Sequence, residues 1–152
     1  MEVRSVKEGR LQRHAIHTRQ SLGQNPMTCC HIPPFYNKGG LHLIRLLEFD
    51  DKTEWITRIQ LDEWTPDSEK RLLHELHILS ILEERTNVPV PVVFDYDASG
   101  KIIGHAFMSM EFIPGSTGMD SFGGREVHGG EIPAEYKESF TQRIARIQVS
   151  YP

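Results

Sequence analysis

Two stretches rich in β-branched and large apolar residues, Leu41 to Phe49 (LHLIRLLEF) and Glu54 to Leu61 (EWITRIQL), flank the polar run Asp50-Asp51-Lys52-Thr53. This pattern predicts a β-hairpin closed by a tight polar turn. Upstream, the short segment Cys29 to Ile32 is followed by a Pro33-Pro34 break and a second turn at Asn37-Lys38-Gly39-Gly40, so three successive antiparallel strands are expected. The period then changes. Thr65-Pro66-Asp67-Ser68 supplies capping hydroxyls and a proline at the first helical position, and apolar residues recur at Leu72, Leu73, Leu76, Leu79 and Leu82. That helix must stop before Val88-Pro89-Val90-Pro91, whose prolines cannot continue it. A second hairpin follows, with strands at Val92 to Tyr96 and about His105 to Phe112 around a turn at Asp97-Ala98-Ser99-Gly100-Lys101. Beyond Ile113-Pro114-Gly115 the chain is glycine-rich and aperiodic until Pro133. The last segment, Ala134 to Val149, sets Tyr136, Phe140, Ile144 and Ile147 close to one helical face.

The first 27 residues are polar and mildly basic, with a weak helical rhythm through Leu11, Ala15 and Ile16, and read as a loosely held arm. Glu2 and Glu8 interrupt the acid-free character of a mitochondrial transit peptide. A length of 152 residues, 38% hydrophobic with 12 Gly and 9 Pro, fits one ordinary domain with one modest core. Seventeen Lys and Arg against 21 Asp and Glu leave a net charge of -4, which argues against nucleic acid as a partner. No stretch approaches the roughly 18 apolar residues of a membrane span, and no apolar signal core follows the basic start, so a cytoplasmic location without membrane attachment is expected. The two cysteines, Cys29 and Cys30, are adjacent and cannot staple distant segments. With His31, and with His14, His17, His74 and His77 elsewhere, they invite a zinc reading. Contiguous thiols lack the spacing that brings two side chains onto one tetrahedral ion, so no metal site is expected.

One charged residue stands out on the long helix. Glu75 falls three residues after Leu72 and four before Leu79, on the apolar face, where a carboxylate needs a cation or several donors. The order of elements, with Leu46-Leu47-Glu48-Phe49-Asp50-Asp51, Trp55-Ile56-Thr57-Arg58-Ile59, His74-Glu75-Leu76, Val88-Pro89-Val90-Pro91, Ile103-Gly104 and Met110-Glu111-Phe112-Ile113-Pro114-Gly115, resembles the aminoglycoside phosphotransferase and choline kinase family, in its fungal-type members. The resemblance implies an α+β fold. It would be a protein kinase-like N-terminal lobe, with an antiparallel sheet of about five strands and one packed helix, over residues 28–115. A Gly-rich linker over 116–133 and a C-terminal helix beginning a large lobe over 134–152 would follow the arm and that lobe.

The same resemblance implies ATP as cofactor. Arg58 would stand where the family's nucleotide-contacting cation lies, and Glu75 where the helix carboxylate pairs with it. Gly39 and Gly40 would belong to the phosphate-covering loop, and Met110, Glu111 and Phe112 would open the hinge whose backbone holds the adenine edge. The family's catalytic Asp, metal-binding Asn and Mg²⁺-binding Asp lie in the large lobe, but after Asp120 this chain has no aspartate and after Asn87 no asparagine. No catalytic residue is therefore expected, and the Mg²⁺ site is expected to be absent from this chain. Such a chain would be a truncated gene product, a splice form or a short functional protein. Two functions follow: a nucleotide-binding lobe inactive alone and binding ATP weakly, or a pseudokinase-like interaction module that pairs with a complementary lobe or another protein.

Overall fold

The two apolar stretches pair as the predicted hairpin. The computed structural model describes residues 7–24, 28–116 and 118–149. Among these, α1 (Glu8–Ser21) precedes β1 (Cys30–His31), β2 (Asn37–Lys38), β3 (His42–Phe49) and β4 (Glu54–Gln60). Then come α2 (Pro66–Arg85), β5 (Val93–Asp97), β6 (Phe107–Glu111), two single-turn helices α3 (Gly118–Ser121) and α4 (Arg125–His128), and α5 (Ala134–Val149). The sheet order is β1-β3-β4-β6-β5, every pairing is antiparallel, and β2 also pairs with β3. Cys30 lies opposite Phe49 and Lys38 opposite Leu43, so β1 and β2 are two pieces of one edge strand, split at Pro33-Pro34. This is the expected α+β arrangement of helices and an antiparallel sheet of about five strands.

One compact unit takes in the chain up to Ile78 together with Pro91–Phe112, and a second takes in Leu79–Val90 and the chain from Ile113. In the first, Leu43, Leu47 and Phe49 of β3 and Trp55 and Ile59 of β4 point to one face and are buried with Leu11 and Ala15 of α1. Trp55 stacks on Phe94 at 4.3 Å between centroids and meets Phe49 edge-on at 5.0 Å. In the second unit, Phe122 stacks on Tyr136 at 5.2 Å.

The stretch expected to be a loosely held arm thus carries a packed helix. Residues 1–6 and 25–27 of that stretch lie outside the described ones, as do Thr117 and 150–152. Three charged pairs tie α1 down. Buried Arg45 donates from Nη2 to Glu8 at 2.6 Å and to the Pro33 carbonyl at 3.0 Å. Buried Arg19 grips Asp51 through both Nη atoms, at 3.1 and 2.7 Å, with its guanidinium carbon 4.3 Å over the Phe49 ring. Hydrogen bonds from Arg19 and Thr53 hold the Asp51 carboxyl well below the usual carboxylate range.

The third pair joins His14 to Asp95 of β5, which also accepts from Thr18 at 2.6 Å. The hydrogen bond to Asp95 raises the His14 pKa above 6.5 despite partial burial. Burial alone would raise that of Asp95, but the bonds from His14 and Thr18 outweigh it and bring it below 3.8. The imidazolium therefore stabilises the fold fully below pH 6.5, and this is lost as pH rises through the raised value. The carboxylate's contribution holds above pH 3.8 and is lost as pH falls through the lowered value. The gap in melting temperature between the wild type and His14→Gln should be widest near about pH 5.5 and narrow by about pH 8. A gap that does not change with pH would refute the tie.

The helix starts behave as their sequence requires. Thr65 Oγ1 accepts from the Ser68 N–H at 3.1 Å, while Ser68 Oγ accepts from the Thr65 N–H at 2.8 Å, a reciprocal cap at the N-terminus of α2. The turn after β5 needs its glycine: Gly100 has φ +66°, and a Cβ there would stand 2.6 Å from that of Trp64.

Candidate functional site

The second face of the sheet carries the site. Register places His42 opposite Gln60, Ile44 opposite Arg58 and Leu46 opposite Ile56, and on the other side of β4 it places Met108 opposite Arg58 and Met110 opposite Ile56. All of these share one face, because side chains alternate along a strand and opposed residues point the same way. Ile44, Leu46 and Ile56 are only half-buried, in contrast to the fully covered face beneath α1.

Helix α2 supplies the carboxylate. Ser68, Leu72 and Glu75 recur at the i, i+4, i+7 spacing of one helical face; the first two are buried, and Glu75 ends the row beside the sheet. Arg58 Nη1 donates to Glu75 Oε1, as the core-facing position of Glu75 led one to expect. The side chains are 33% and 29% exposed, so the pair is screened rather than sealed in the core.

His42 completes the cluster. Its Nδ1 lies 3.4 Å from Arg58 Nη2, and burial, helped by Arg58, lowers its pKa. Nothing in the one-dimensional pattern marks His42, because its meeting with Arg58 depends on cross-strand register. The half-covered Ile44, Leu46 and Ile56 did leave a signal. LHLIRLLEF is apolar on both faces, more than one helix-covered face requires.

Gly39 and Gly40 form the turn between β2 and β3, with the Gly39 N–H donating to the His42 carbonyl at 2.9 Å. A Cβ at Gly40 would meet nothing within 4 Å, and one at Gly39 only the His42 oxygen at 3.8 Å, so the fold alone would accept side chains at both. A hollow of about 300 Å³ beside this turn is lined by Leu41, His42, Gln60, Arg71 and Glu75. Of the expected hinge, Met110 is buried in the ladder between Ile56 and Val93, Glu111 lies opposite Trp55 with its N–H bonded to the Val92 carbonyl at 2.8 Å, and Phe112 is the first residue past the strand.

A larger hollow of about 560 Å³ lies at the far end of β3, around the β3–β4 turn, with Cys29, Cys30 and His31 in its lining. Burial pushes the Cys30 thiol up to about 11, an unreactive state, while Cys29 is exposed. Among the described residues, no three His, Cys, Asp or Glu side chains are grouped to hold a metal ion. His74 and His77 lie exposed on α2. None of the described helices is long and apolar enough to cross a membrane.

The antiparallel sheet and its helices are consistent with a kinase-like N-terminal lobe. The model of the phosphotransferase enzyme family (APH) matches residues 38–146, and the chain belongs to that family. The match opens just ahead of Gly39, so α1 and β1 lie before it. No curated protein matches the chain.

Proposed function

We propose that the chain binds ATP as the small lobe of an ATP-dependent small-molecule phosphotransferase, and that residues 1–152 alone do not transfer the phosphoryl group. The observation that carries this is the Arg58–Glu75 pair on the half-covered face. Arg58 offers a fixed fork of donors to phosphates, and Glu75 keeps it extended toward them. Ile44, Leu46 and Ile56 offer an apolar bed for a purine ring, and the side-chain-free turn leaves room for an anion to approach the backbone at Gly40, the Gly39 N–H being held by the His42 carbonyl. The backbone around Met110 to Phe112 would meet the adenine edge. ATP supplies the transferable group. Transfer also requires Mg²⁺ held by carboxylates against the phosphates, and among the described residues no three His, Cys, Asp or Glu side chains are grouped for a metal ion.

In this reading the small lobe spans 28–115, with 116–133 a linker, 134–152 the start of a large lobe, and the setting cytoplasmic. The test is fluorescence titration with a ribose-labelled ATP analogue, together with a turnover assay over hydroxyl- and amino-bearing acceptors in Mg²⁺. Saturable binding displaced by unlabelled ATP, without turnover, is the expected result; turnover by residues 1–152, or no binding, would overturn it.

A second reading is a pseudokinase-like interaction module. It is favoured by α5, where Tyr136, Phe140, Ile144 and Ile147 stand exposed at the spacing of one helical face. Failure to bind nucleotide would favour it.

A further inference from the structure

We propose that His42 is a positioning residue for Arg58, its imidazole and the Glu75 carboxylate gripping the two Nη groups of one guanidinium from strand and helix. The proposal rests on the nucleotide-binding reading and names what orients that site's cation.

An arginine side chain carries only donors, so across the 3.4 Å contact the Nδ1 atom of His42 must be the acceptor. This fixes the tautomer: the ring is neutral and its proton is on Nε2. The charged groups that act on His42 are Arg58 from β4 and Glu75 and Arg71 from α2. Burial, with Arg58 and then Arg71, lowers its pKa against the opposing pull of Glu75, which favours the neutral ring.

The geometric reason for a second grip is the length of the arginine stem. A single bond to Glu75 leaves the guanidinium free to turn about that bond, and a long side chain carries large rotamer entropy. A second contact on the other Nη fixes the plane of the fork. Diagonal register makes the contact possible, since His42 lies opposite Gln60 while Arg58, two residues earlier on β4, shares its face. His42 and Glu75, the two partners of the fork, both line the hollow beside the Gly39-Gly40 turn. Protonation of His42 removes the acceptor and sets imidazolium against guanidinium, releasing the fork.

The test measures binding of labelled ADP to the wild type, His42→Ala and His42→Asn between about pH 5.5 and 8. Asparagine offers an acceptor oxygen where Nδ1 stood and does not titrate. At about pH 7.5, His42→Ala should weaken binding about tenfold and His42→Asn by less than about twofold. On acidification, the wild type should lose affinity relative to His42→Asn, a ratio in which the nucleotide's own titration cancels. Equal affinity of His42→Ala and the wild type would overturn the proposal, as would an asparagine that fails to rescue. A wild type that gains on acidification would also overturn it, making His42 a cationic phosphate ligand instead. Without nucleotide, the imidazole resonances should titrate below 6.5 in the wild type and higher in Arg58→Gln; an unchanged titration would show that the grip does not exist. No ADP binding by the wild type would overturn the nucleotide-binding reading and the positioning role together, while the titration would still report the contact itself.

Discussion

Trp55→Ala should cost about 3–5 kcal/mol of folding stability, the range for emptying a large aromatic site in a packed core. Trp55 is fully buried, stacked on Phe94 and edge-on to Phe49, and these rings tie β3, β4 and β5 to one another under α1. Trp55→Phe separates packing from polarity. The indole Nε1 is buried without a hydrogen-bond partner among the described residues, so phenylalanine removes an unsatisfied donor while keeping a ring in the stack. Its cost should be less than half that of alanine. Urea unfolding of the three proteins decides the matter: an alanine cost below about 1 kcal/mol would mean that the core closes over the gap.

At Arg58 the balance between stability and binding reverses. The ion pair with Glu75 is about one-third exposed, so Arg58→Ala should cost less than about 1 kcal/mol of stability. Nucleotide affinity should fall by about tenfold or more, because charge-assisted bonds to phosphate are the strong ones. Arg58→Lys should recover only part of this, since an ammonium keeps the charge but not the planar fork that Glu75 and His42 hold. Titration of labelled ATP against each variant, alongside its unfolding curve, checks both halves. A variant that binds normally but unfolds easily would assign Arg58 to the fold alone.

What could be read in the chain beforehand follows from how local each signal is. The reciprocal cap of Thr65 and Ser68, the row of leucines after it and the polar turn between β3 and β4 are short-range patterns, and each element appeared where its pattern stood. Glu75 was legible because a carboxylate on an apolar helix face states its own need for a cation. Helix α1 was not read as part of the core, because its buried face consists of Leu11, Ala15 and Arg19. Arginine reads as surface until its partners are known, and those partners, Asp51 and Phe49, are some thirty residues away. Arg45 poses the same problem on β3, with Glu8 as its answer. His42 was silent for a related reason, since only the pairing register brings it to Arg58.

Helix α1 also decides where this lobe can yield. Its three charged ties end on β3, on the β3–β4 turn and on β5, so the helix is riveted across the sheet from one side to the other. A sheet held at three points along one helix behaves as a plate: bending or shearing its strands would have to pull a buried arginine away from its carboxylate. Adjustment to a nucleotide bound as proposed would then fall to parts the rivets do not reach, among them the Gly39-Gly40 turn and the portion of α2 that presents Glu75. His42, two residues after that turn, and Glu75, on that helix, are the two contacts of the Arg58 guanidinium.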